Sequence, residues 1–399
     1  MNDFLKNIIS QTGNVIFFFK KKEIKREKIN KILIISLYFR GDVLLNTVAI
    51  KMLKKIFPDA VIDVMVKSRS KEVPEGNPNI NRLIVFDDIK TADYNDNPEL
   101  KLKEKLSLLK KIRKENYDLC IDFTGKYSTA LIALIGGFRY SLGLNYNGFG
   151  FCYSKLVNIN TQNTKGLLSE KYLNTLKEGL GIKESEWLKL NTGFDNNCEI
   201  FLSLAEMSAA ENKLNSLNLN PDKPLVCIQT TAGWKAKEWN EKNYTALISE
   251  LIYTDHEFVL IGTDEDAEIN YRILDAVSPD LRKHFLPLPL KINAAIIKMS
   301  DLFIGSDSIG LHLAGAVGTP SIGLFGPTNP DFSNPNGDIH KVIYKKLTCS
   351  AGDSSQYCTR DAGKSCPDIE CMRNISTGEV LENAEFLLSK YFNQKRITA

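Results

Sequence analysis

The chain lacks the features of several classes of protein. Its charges almost cancel, because 51 basic and 48 acidic residues give a net charge of +3 over 399 residues, so no general attraction to nucleic acid is expected. No apolar run is long enough to span a bilayer. No small-residue cleavage site follows the apolar residues near the start, so a secretory signal is not expected. The composition predicts a soluble globular protein, and the length favours two domains.

Residues 1–30 combine apolar residues with a basic end. The run Phe17-Phe18-Phe19 is followed by Lys20-Lys21-Lys22, and this pairing is typical of a segment that lies on anionic lipid. A packed helix with a solvated basic end is the alternative. We therefore predict a basic amphipathic extension at 1–30.

Cysteine is present, but without the close Cys-x-x-Cys pairs of common metal sites. Eight cysteines and no export signal indicate free thiols in a reducing compartment. Four of them crowd into one late stretch, where the spacing leaves unconnected thiols, a metal site and a disulfide open. We predict no metal ligand and no cofactor. The four are Cys349, Cys358, Cys366 and Cys371.

Short apolar runs alternate with amphipathic ones in both halves of the chain, around a polar middle with few strands. Strands that are apolar on both faces and separated by helices indicate parallel sheets covered on both sides. The fold class is therefore α/β, with domains at 31–205 and 206–399. The predicted strands are Ile32–Ile35, Val61–Val66, Arg82–Phe86, Asp118–Phe123, Leu225–Gln229, Phe258–Ile261, Leu302–Ile304 and Ser321–Leu324. A capping box, Ser376–Glu379, predicts a last helix at Val380–Tyr391.

The turn after the first strand carries Arg40, Gly41 and Asp42. In wound sheets, ligands bind beyond the carboxyl ends of the strands. Asp42 is either a helix-start residue that complements the helix dipole or a general base at the site. A dinucleotide site is disfavoured, since no G-x-G-x-x-G follows this strand.

The turn after Leu225–Gln229 carries hydroxyl groups and cations. Thr230 and Thr231 are followed by Gly233 and then by Lys235 and Lys237, which together could hold phosphates. It is not a P-loop, because G-x-x-x-x-G-K-[ST] is absent. A solvated loop is the alternative.

The stretch from Gly305 to Pro330 follows another strand and is rich in glycine. Asp307 or Ser308 is expected to cap a helix, and Gly310 keeps that helix slim. The free amides at its start, with His312 one turn later, could hold a diphosphate without metal. His312 could equally be a packing residue.

Together these landmarks resemble glycosyltransferase family 9, the ADP-heptose:lipopolysaccharide heptosyltransferases, from about residue 31 to residue 385. The resemblance implies a GT-B architecture, with two Rossmann-like domains whose parallel sheets face across a cleft. It implies an inverting transfer of heptose from ADP-heptose onto a lipopolysaccharide core or related glycan. The matching residues include Gly41-Asp42-Val43-Leu44, Asn77-Pro78, Lys237-x-Trp239, Asp307-Ser308, His312-Leu313-Ala314, Phe325-Gly326-Pro327-Thr328 and Cys371-Met372-Arg373-x-Ile375.

The resemblance also implies roles for single residues. The predicted catalytic residues are Asp42, which matches the catalytic base, and Lys237, with Arg40 and Gly41 on the acceptor side. The remaining matches are to donor-binding positions, where Lys237 and the two threonines hold the phosphates, and either acid at 264 or 266 takes the ribose. The donor-binding residues are Thr230, Thr231, Lys235, Lys237, Asp264, Asp266, Asp307, Ser308, Gly310 and His312.

Three departures from the family pattern bear on substrate. Ile309 stands where glycine is expected and Gly310 where proline is usual, which concerns the donor pocket. Two extra residues between Thr231 and Lys237 make Lys235 a rival for the phosphate role. The residues Tyr38 to Arg40 replace small hydroxyl residues on the acceptor side.

The expected partners are ADP-heptose or a similar nucleotide sugar, a lipid-linked glycan acceptor and an anionic membrane surface, with no nucleic acid. The expected place is the cytoplasm, peripheral on the inner face of the inner membrane. Two alternatives are a family relative with another nucleotide-sugar donor and a non-catalytic nucleotide-sugar binding protein on the same fold.

Overall fold

The computed structural model describes residues 22–86, 98–144, 149–157 and 166–398, without the side chains of 98–105 and 393–398. The chain divides into two compact units. One comprises Met1–Asn160 with Ser169–Asn196, and the other comprises Thr161–Leu168 with Asn197–Ala399. The predicted boundary between residues 205 and 206 stays a prediction.

The first unit is built on a six-stranded parallel sheet in the order β3-β2-β1-β4-β5-β6. The strands are β1 Lys31–Ser36, β2 Val61–Val66, β3 Arg82–Val85, β4 Leu119–Asp122, β5 Tyr140–Leu144 and β6 Lys155–Val157. The α-helices up to residue 191 are α1 Arg40–Leu45, α2 Thr47–Ile56, α3 Pro98–Lys114, α4 Tyr127–Ile135, α5 Leu168–Gly179 and α6 Glu184–Asn191.

The second unit repeats this plan in the order β12-β11-β10-β7-β8-β9. Its strands are β7 Leu225–Gln229, β8 Glu257–Gly262, β9 Phe285–Pro287, β10 Leu302–Ser306, β11 Ser321–Phe325 and β12 His340–Tyr344. Its α-helices are α7 Leu204–Asn215, α8 Glu241–Tyr253, α9 Ala267–Asp275, α10 Leu290–Met299, α11 Ile309–Val317, α12 Pro330–Ser333, α13 Glu370–Arg373 and α14 Thr377–Thr398.

Short 3₁₀ helices complete the described secondary structure. They are Arg26–Lys28, Ser68–Ser70, Gly150–Cys152, Lys235–Lys237, Asp264–Asp266, Pro279–His284 and Asp361–Gly363. Two of them follow β7 and β8, where the sequence predicts donor-binding residues.

Both strand orders are those of a Rossmann-like, doubly wound sheet. In such a sheet, strands are added first on one side of the unit's first strand and then on its other side. The predicted α/β class with two such domains is confirmed. In β1 the run Ile32 to Ile35 is fully buried, because helices cover both faces. In the second unit, Gly318 ends α11 with a φ of 75°, a left-handed conformation that glycine adopts without steric cost.

The eight predicted strands are confirmed within one or two residues, but four strands were missed. These four, β5, β6, β9 and β12, are short or carry serine, glycine, proline or exposed polar residues. They therefore lack the apolar run that marks the inner strands. The middle of the chain also contains α6 and α7, which its polar sequence does not predict. Ser376 accepts a hydrogen bond from the Glu379 amide at 3.3 Å, as expected for the predicted cap.

Only the end of the predicted N-terminal extension lies within the described residues, since 1–21 fall outside them. Ile24 and Ile29 are buried, and Arg26 forms two hydrogen bonds with Glu186 at 2.6 and 2.9 Å. Residues 22–30 therefore pack on the first unit. Among the described helices, none is both long and apolar enough to cross a membrane.

Candidate active site

Most of the predicted site residues lie on turns at the two reversal points, which are the places beside β1 and β7 where the strand order of each sheet reverses. Asp264 and Asp266 follow β8 instead. Asp42 follows β1, while the turns after β7 and β10 carry Lys237 and Asp307, and these two strands are neighbours. Because ligands bind beyond the carboxyl ends of strands at such points, each turn is placed for binding.

An ion pair between Lys237 and Asp307 joins the turns that follow β7 and β10. The Lys237 ammonium donates to the Asp307 carboxylate at 2.6 Å and to its main-chain carbonyl at 3.0 Å. The ammonium also lies 4.3 Å from the centre of the Trp234 ring, a cation–π distance. Only 14% of the Lys237 side chain and 5% of the Asp307 side chain are exposed.

The protonation of this pair follows from its surroundings. Burial acts most strongly and favours a higher pKa for Asp307. The charge of Lys237, the nearby His312 and the hydrogen bonds from Lys237 and Thr328 together outweigh burial and hold the pKa of Asp307 below its usual value. The Nε2 atom of His312 lies 4.0 Å from the Oδ1 atom of Asp307. Burial lowers the pKa of His312, even though Asp307 acts in the opposite direction. At neutral pH the site therefore holds a carboxylate and a neutral imidazole.

The start of α11 is held by Gln229, which the sequence reading did not select. Ser308 is the N-cap residue, but it does not cap the helix through its side chain. Its hydroxyl donates to the Gln229 carboxamide oxygen at 2.9 Å, and the Gly310 amide donates to the same oxygen at 3.1 Å. The expected side-chain cap of α11 by Ser308 is therefore not formed, and one of the expected free amides at the helix start, that of Gly310, is bonded to Gln229.

Gln229 also explains why residue 310 is glycine. A Cβ atom at position 310 would lie 2.2 Å from the Gln229 carboxamide oxygen and 2.7 Å from Phe303. A proline there would also lack the amide hydrogen that Gln229 accepts. The glutamine at position 229 therefore requires the glycine at position 310, where the family pattern has proline.

Buried polar groups link the Thr230 turn to the turn after β8. The fully buried Thr230 hydroxyl donates to the Asn270 side-chain oxygen at 2.8 Å, and the Asn270 amide donates to the Asp266 carbonyl at 2.8 Å. The Asp266 carboxylate accepts bonds from the amide and hydroxyl of Thr263. Asp264, by contrast, is exposed, which favours it over Asp266 for a ligand.

The two remaining residues predicted on the Thr230 turn differ in accessibility. Thr231 is buried, with 9% of its surface exposed. Lys235 is exposed and makes no ion pair with any residue that the structure describes. Of the two rival lysines, Lys237 is therefore the one built into the site.

The turn after β1 is more open. Asp42 lies in the first turn of α1 and is half-buried. Arg40 donates to the Arg69 carbonyl at 2.8 Å, and the Arg69 guanidinium lies 4.1 Å from the centre of the Phe39 ring. The Tyr38 hydroxyl donates to the Thr124 carbonyl of the neighbouring turn at 2.8 Å.

Sequence reasoning missed the residues that hold the site together. Gln229 and Asn270 bond to residues that are distant in sequence, so no local spacing reveals them. The one available signal is for Gln229, a polar residue at the end of an apolar strand. Trp239 shows a further long-range link, since its indole donates to the Ile375 carbonyl at 3.0 Å.

The eight cysteines are all free thiols in the structure. Cys371 is partly buried, and burial is the main reason why its pKa is raised to about 11. Among the described residues, no group of three or more His, Cys, Asp or Glu side chains is arranged to hold a metal ion.

The profile of Glycosyltransferase family 9 (heptosyltransferase) matches residues 105–359, more than half of the chain. The chain belongs to glycosyltransferase family 9. The resemblance read from the sequence is confirmed, and the protein is an enzyme that transfers a glycosyl group. This family 9 enzyme is 28% identical over 331 residues to the lipopolysaccharide heptosyltransferase 3 of Escherichia coli, which covers 81% of this chain and 89% of that relative.

Two solved structures have the same fold as this family 9 enzyme. The E. coli ADP-heptose lps heptosyltransferase II aligns with a TM-score of 0.72 at 22% identity, covering 90% of this chain and 99% of that one. A family 9 glycosyl transferase from Veillonella parvula aligns with a TM-score of 0.77 at 19% identity, covering 93% and 99%. The predicted GT-B fold class is confirmed.

Proposed function

We propose that this glycosyltransferase moves heptose from ADP-heptose onto a lipopolysaccharide core or a related surface glycan, with inversion at the anomeric carbon. The observation that carries the proposal is the buried Lys237–Asp307 pair at the reversal point of the second sheet. It is supported by the fold shared with the E. coli ADP-heptose lps heptosyltransferase II.

The donor diphosphate would bind at Lys237 and the start of α11. An ammonium has three hydrogens, and Asp307 takes two of those on Lys237, which leaves one for a phosphate oxygen. Helix starts favour anions, and the amides of Ile309 and Leu311 would serve here because the Gly310 amide is occupied. The exposed Lys235 would add a second cation.

The rest of the donor would lie beside the same turn. Asp264 would accept hydrogen bonds from the ribose hydroxyls, since its carboxylate is exposed and the Asp266 carboxylate is used within its own turn. His312, as a neutral imidazole, would offer a hydrogen bond to the sugar without adding charge. Thr230 would hold the turn through Asn270 and leave the direct contact to Thr231.

The acceptor would meet Asp42 as the general base. Its hydroxyl oxygen attacks the anomeric carbon while the bond from that carbon to the phosphate oxygen breaks, and ADP leaves with the electron pair. A carboxylate with an ordinary pKa near 4 cannot deprotonate a free alcohol outright. Asp42 therefore takes the proton as the attacking oxygen becomes acidic in the transition state. A single displacement inverts the configuration.

The proposed acceptor is lipid-linked, and the proposed place is the cytoplasmic face of a membrane. No metal is proposed for the reaction, because Lys237 and the helix start supply the positive charge that the leaving ADP requires. The exposed Arg69, whose carbonyl accepts a hydrogen bond from Arg40, suits a charged acceptor.

Calorimetry tests the donor half of the proposal. We expect ADP to bind more tightly than GDP or UDP, and ADP-heptose more tightly than ADP-glucose, with no change when a chelator is present. Preference for another nucleotide would keep the fold and the base but move the enzyme to the alternative donor. Tight binding with no turnover of any acceptor extract would favour the non-catalytic alternative.

A further inference from the structure

The outward face of α4 carries a stripe of exposed apolar side chains. Tyr127, Leu131 and Ile135 are four residues apart and lie on one side of the helix, with 64%, 44% and 42% of their surfaces exposed. On the other side, Ala130 and Ala133 are buried against the first sheet. A helix that covers a sheet normally has a polar outward face. The apolar stripe on α4 is therefore a candidate surface for binding another apolar surface.

Positive charge borders both ends of this stripe. Lys126 directly precedes α4, and Arg113 of α3 donates to the Ile135 carbonyl at 2.8 Å, at the opposite end. The described half of α3, from Leu106 to Lys114, contains no acidic residue. Its exposed basic residues are Lys110, Lys111, Arg113 and Lys114.

We propose that the outward face of α4, together with the basic end of α3, rests on an anionic bilayer surface. Exposed apolar side chains beside lysine and arginine are the combination that binds such surfaces, since the apolar groups enter the interface while the cations meet lipid phosphates. The proposal deepens the proposed function and rests on its lipid-linked acceptor.

The location of α4 fits this role. The helix starts at the turn after β4, where the Lys126 ammonium lies 5.3 Å from the centre of the Tyr38 ring. Tyr38 bonds to the Thr124 carbonyl and lies four residues before Asp42. A bilayer against α4 would therefore meet the unit on the side where the proposed base lies.

The test is sedimentation of the full chain with vesicles of phosphatidylcholine alone or mixed with phosphatidylglycerol. We expect binding to the anionic vesicles only, weakened by salt. The double variant Leu131→Ser/Ile135→Ser should bind at least about tenfold more weakly, because two half-exposed apolar side chains no longer enter the interface. The variant Lys110→Gln/Lys114→Gln should lose most of the salt dependence.

The matched control is Leu188→Ser on α6, since Leu188 is 60% exposed in the same unit but lies outside the stripe. This variant should bind vesicles as the wild type does. Equal binding by the wild type and the Leu131/Ile135 variant would overturn the proposal and point to residues 1–21. Absence of wild-type binding, or a change confined to self-association, would also overturn it.

Calorimetry with ADP on the same variants separates this proposal from the proposed function. Unchanged ADP affinity with lost vesicle binding supports the surface on α4. If vesicle binding behaves as expected but the protein does not bind ADP, the proposal for α4 stands and the proposed donor is wrong.

Discussion

The turns at the two reversal points share one topology but differ in how their polar groups are held. On the second sheet, Lys237, Asp307 and Gln229 bond to one another or to the start of α11 in a largely buried cluster. On the first sheet, Asp42 is half-buried beside the exposed Phe39 ring, which is 63% exposed. The difference indicates that the proposed donor site is preorganised, whereas the proposed acceptor side is more open. Preorganised donors and charges reduce the reorganisation needed during reaction.

The largest expected effect comes from the open turn. Asp42→Asn should lower kcat by about 100-fold or more, a typical contribution of a general base, while the affinity for ADP stays close to that of the wild type. The measurement is steady-state transfer together with calorimetry. Asp59→Asn is the matched control, since Asp59 is exposed at the far end of α2, and it should change neither quantity. Equal kcat for Asp42→Asn and wild type would refute the role of the base.

The second effect comes from the buried cluster and should change affinity as well as stability. Lys237→Ala should weaken ADP binding by about 10- to 100-fold, as expected for a lost hydrogen bond to a charged group. It should also lower the free energy of unfolding at neutral pH by about 3–5 kcal/mol, because Asp307 is left as an unpaired buried charge. Lys235→Ala is the matched control and should leave stability unchanged.

The stability loss of Lys237→Ala should depend on pH. In the wild type, the pKa of Asp307 is lowered on folding, so its stabilising contribution is present above the pKa of the unfolded carboxyl group and is lost as the pH falls through the folded value. Without Lys237, burial raises the pKa of this carboxyl group. The deficit should therefore be largest at neutral pH and shrink on acidification. A deficit that is constant with pH would show that the pair is not charged.

The smallest effect tests whether Gln229 and Gly310 act together. Gln229→Ala removes the acceptor for the Ser308 hydroxyl and the Gly310 amide, which should cost about 1 kcal/mol, as for a lost helix cap. Gly310→Ala should be less destabilising in the Gln229→Ala background, by at least about 0.5 kcal/mol, because one of its two close contacts is gone. Denaturant unfolding of the four proteins measures this coupling. Additive effects would mean that the two residues are independent.

The sequence was sufficient to predict the elements whose burial or exposure shows in their composition. Inner strands such as β1 and β7 are apolar on both faces, and the turns after them are polar, so both sheets and their ligand-binding ends could be predicted. Short strands such as β9, which ends in Pro287, carry too little apolar sequence to be recognised. They form because a neighbouring strand is already in place to pair with them.

The site was predictable as a set of residues but not as a network. Asp307 and Lys237 could be selected by type and position, yet their contact joins residues 70 positions apart. The same holds for Gln229, whose bonds to the α11 start depend on the pairing of β7 with β10. Only the packing of these elements distinguishes a residue that contacts ligand from one that holds another in place.

The position of Trp234 gives this enzyme an optical property. The chain has three tryptophans, of which Trp187 and Trp239 are buried at 7% and 1% exposure. Trp234 is the partly exposed one, and its ring lies against the Lys237 ammonium. Any molecule that draws this ammonium away changes the electric field at the indole. The emission of Trp234 should therefore report occupancy of the proposed donor site without a label, at concentrations far below those that heat measurements require.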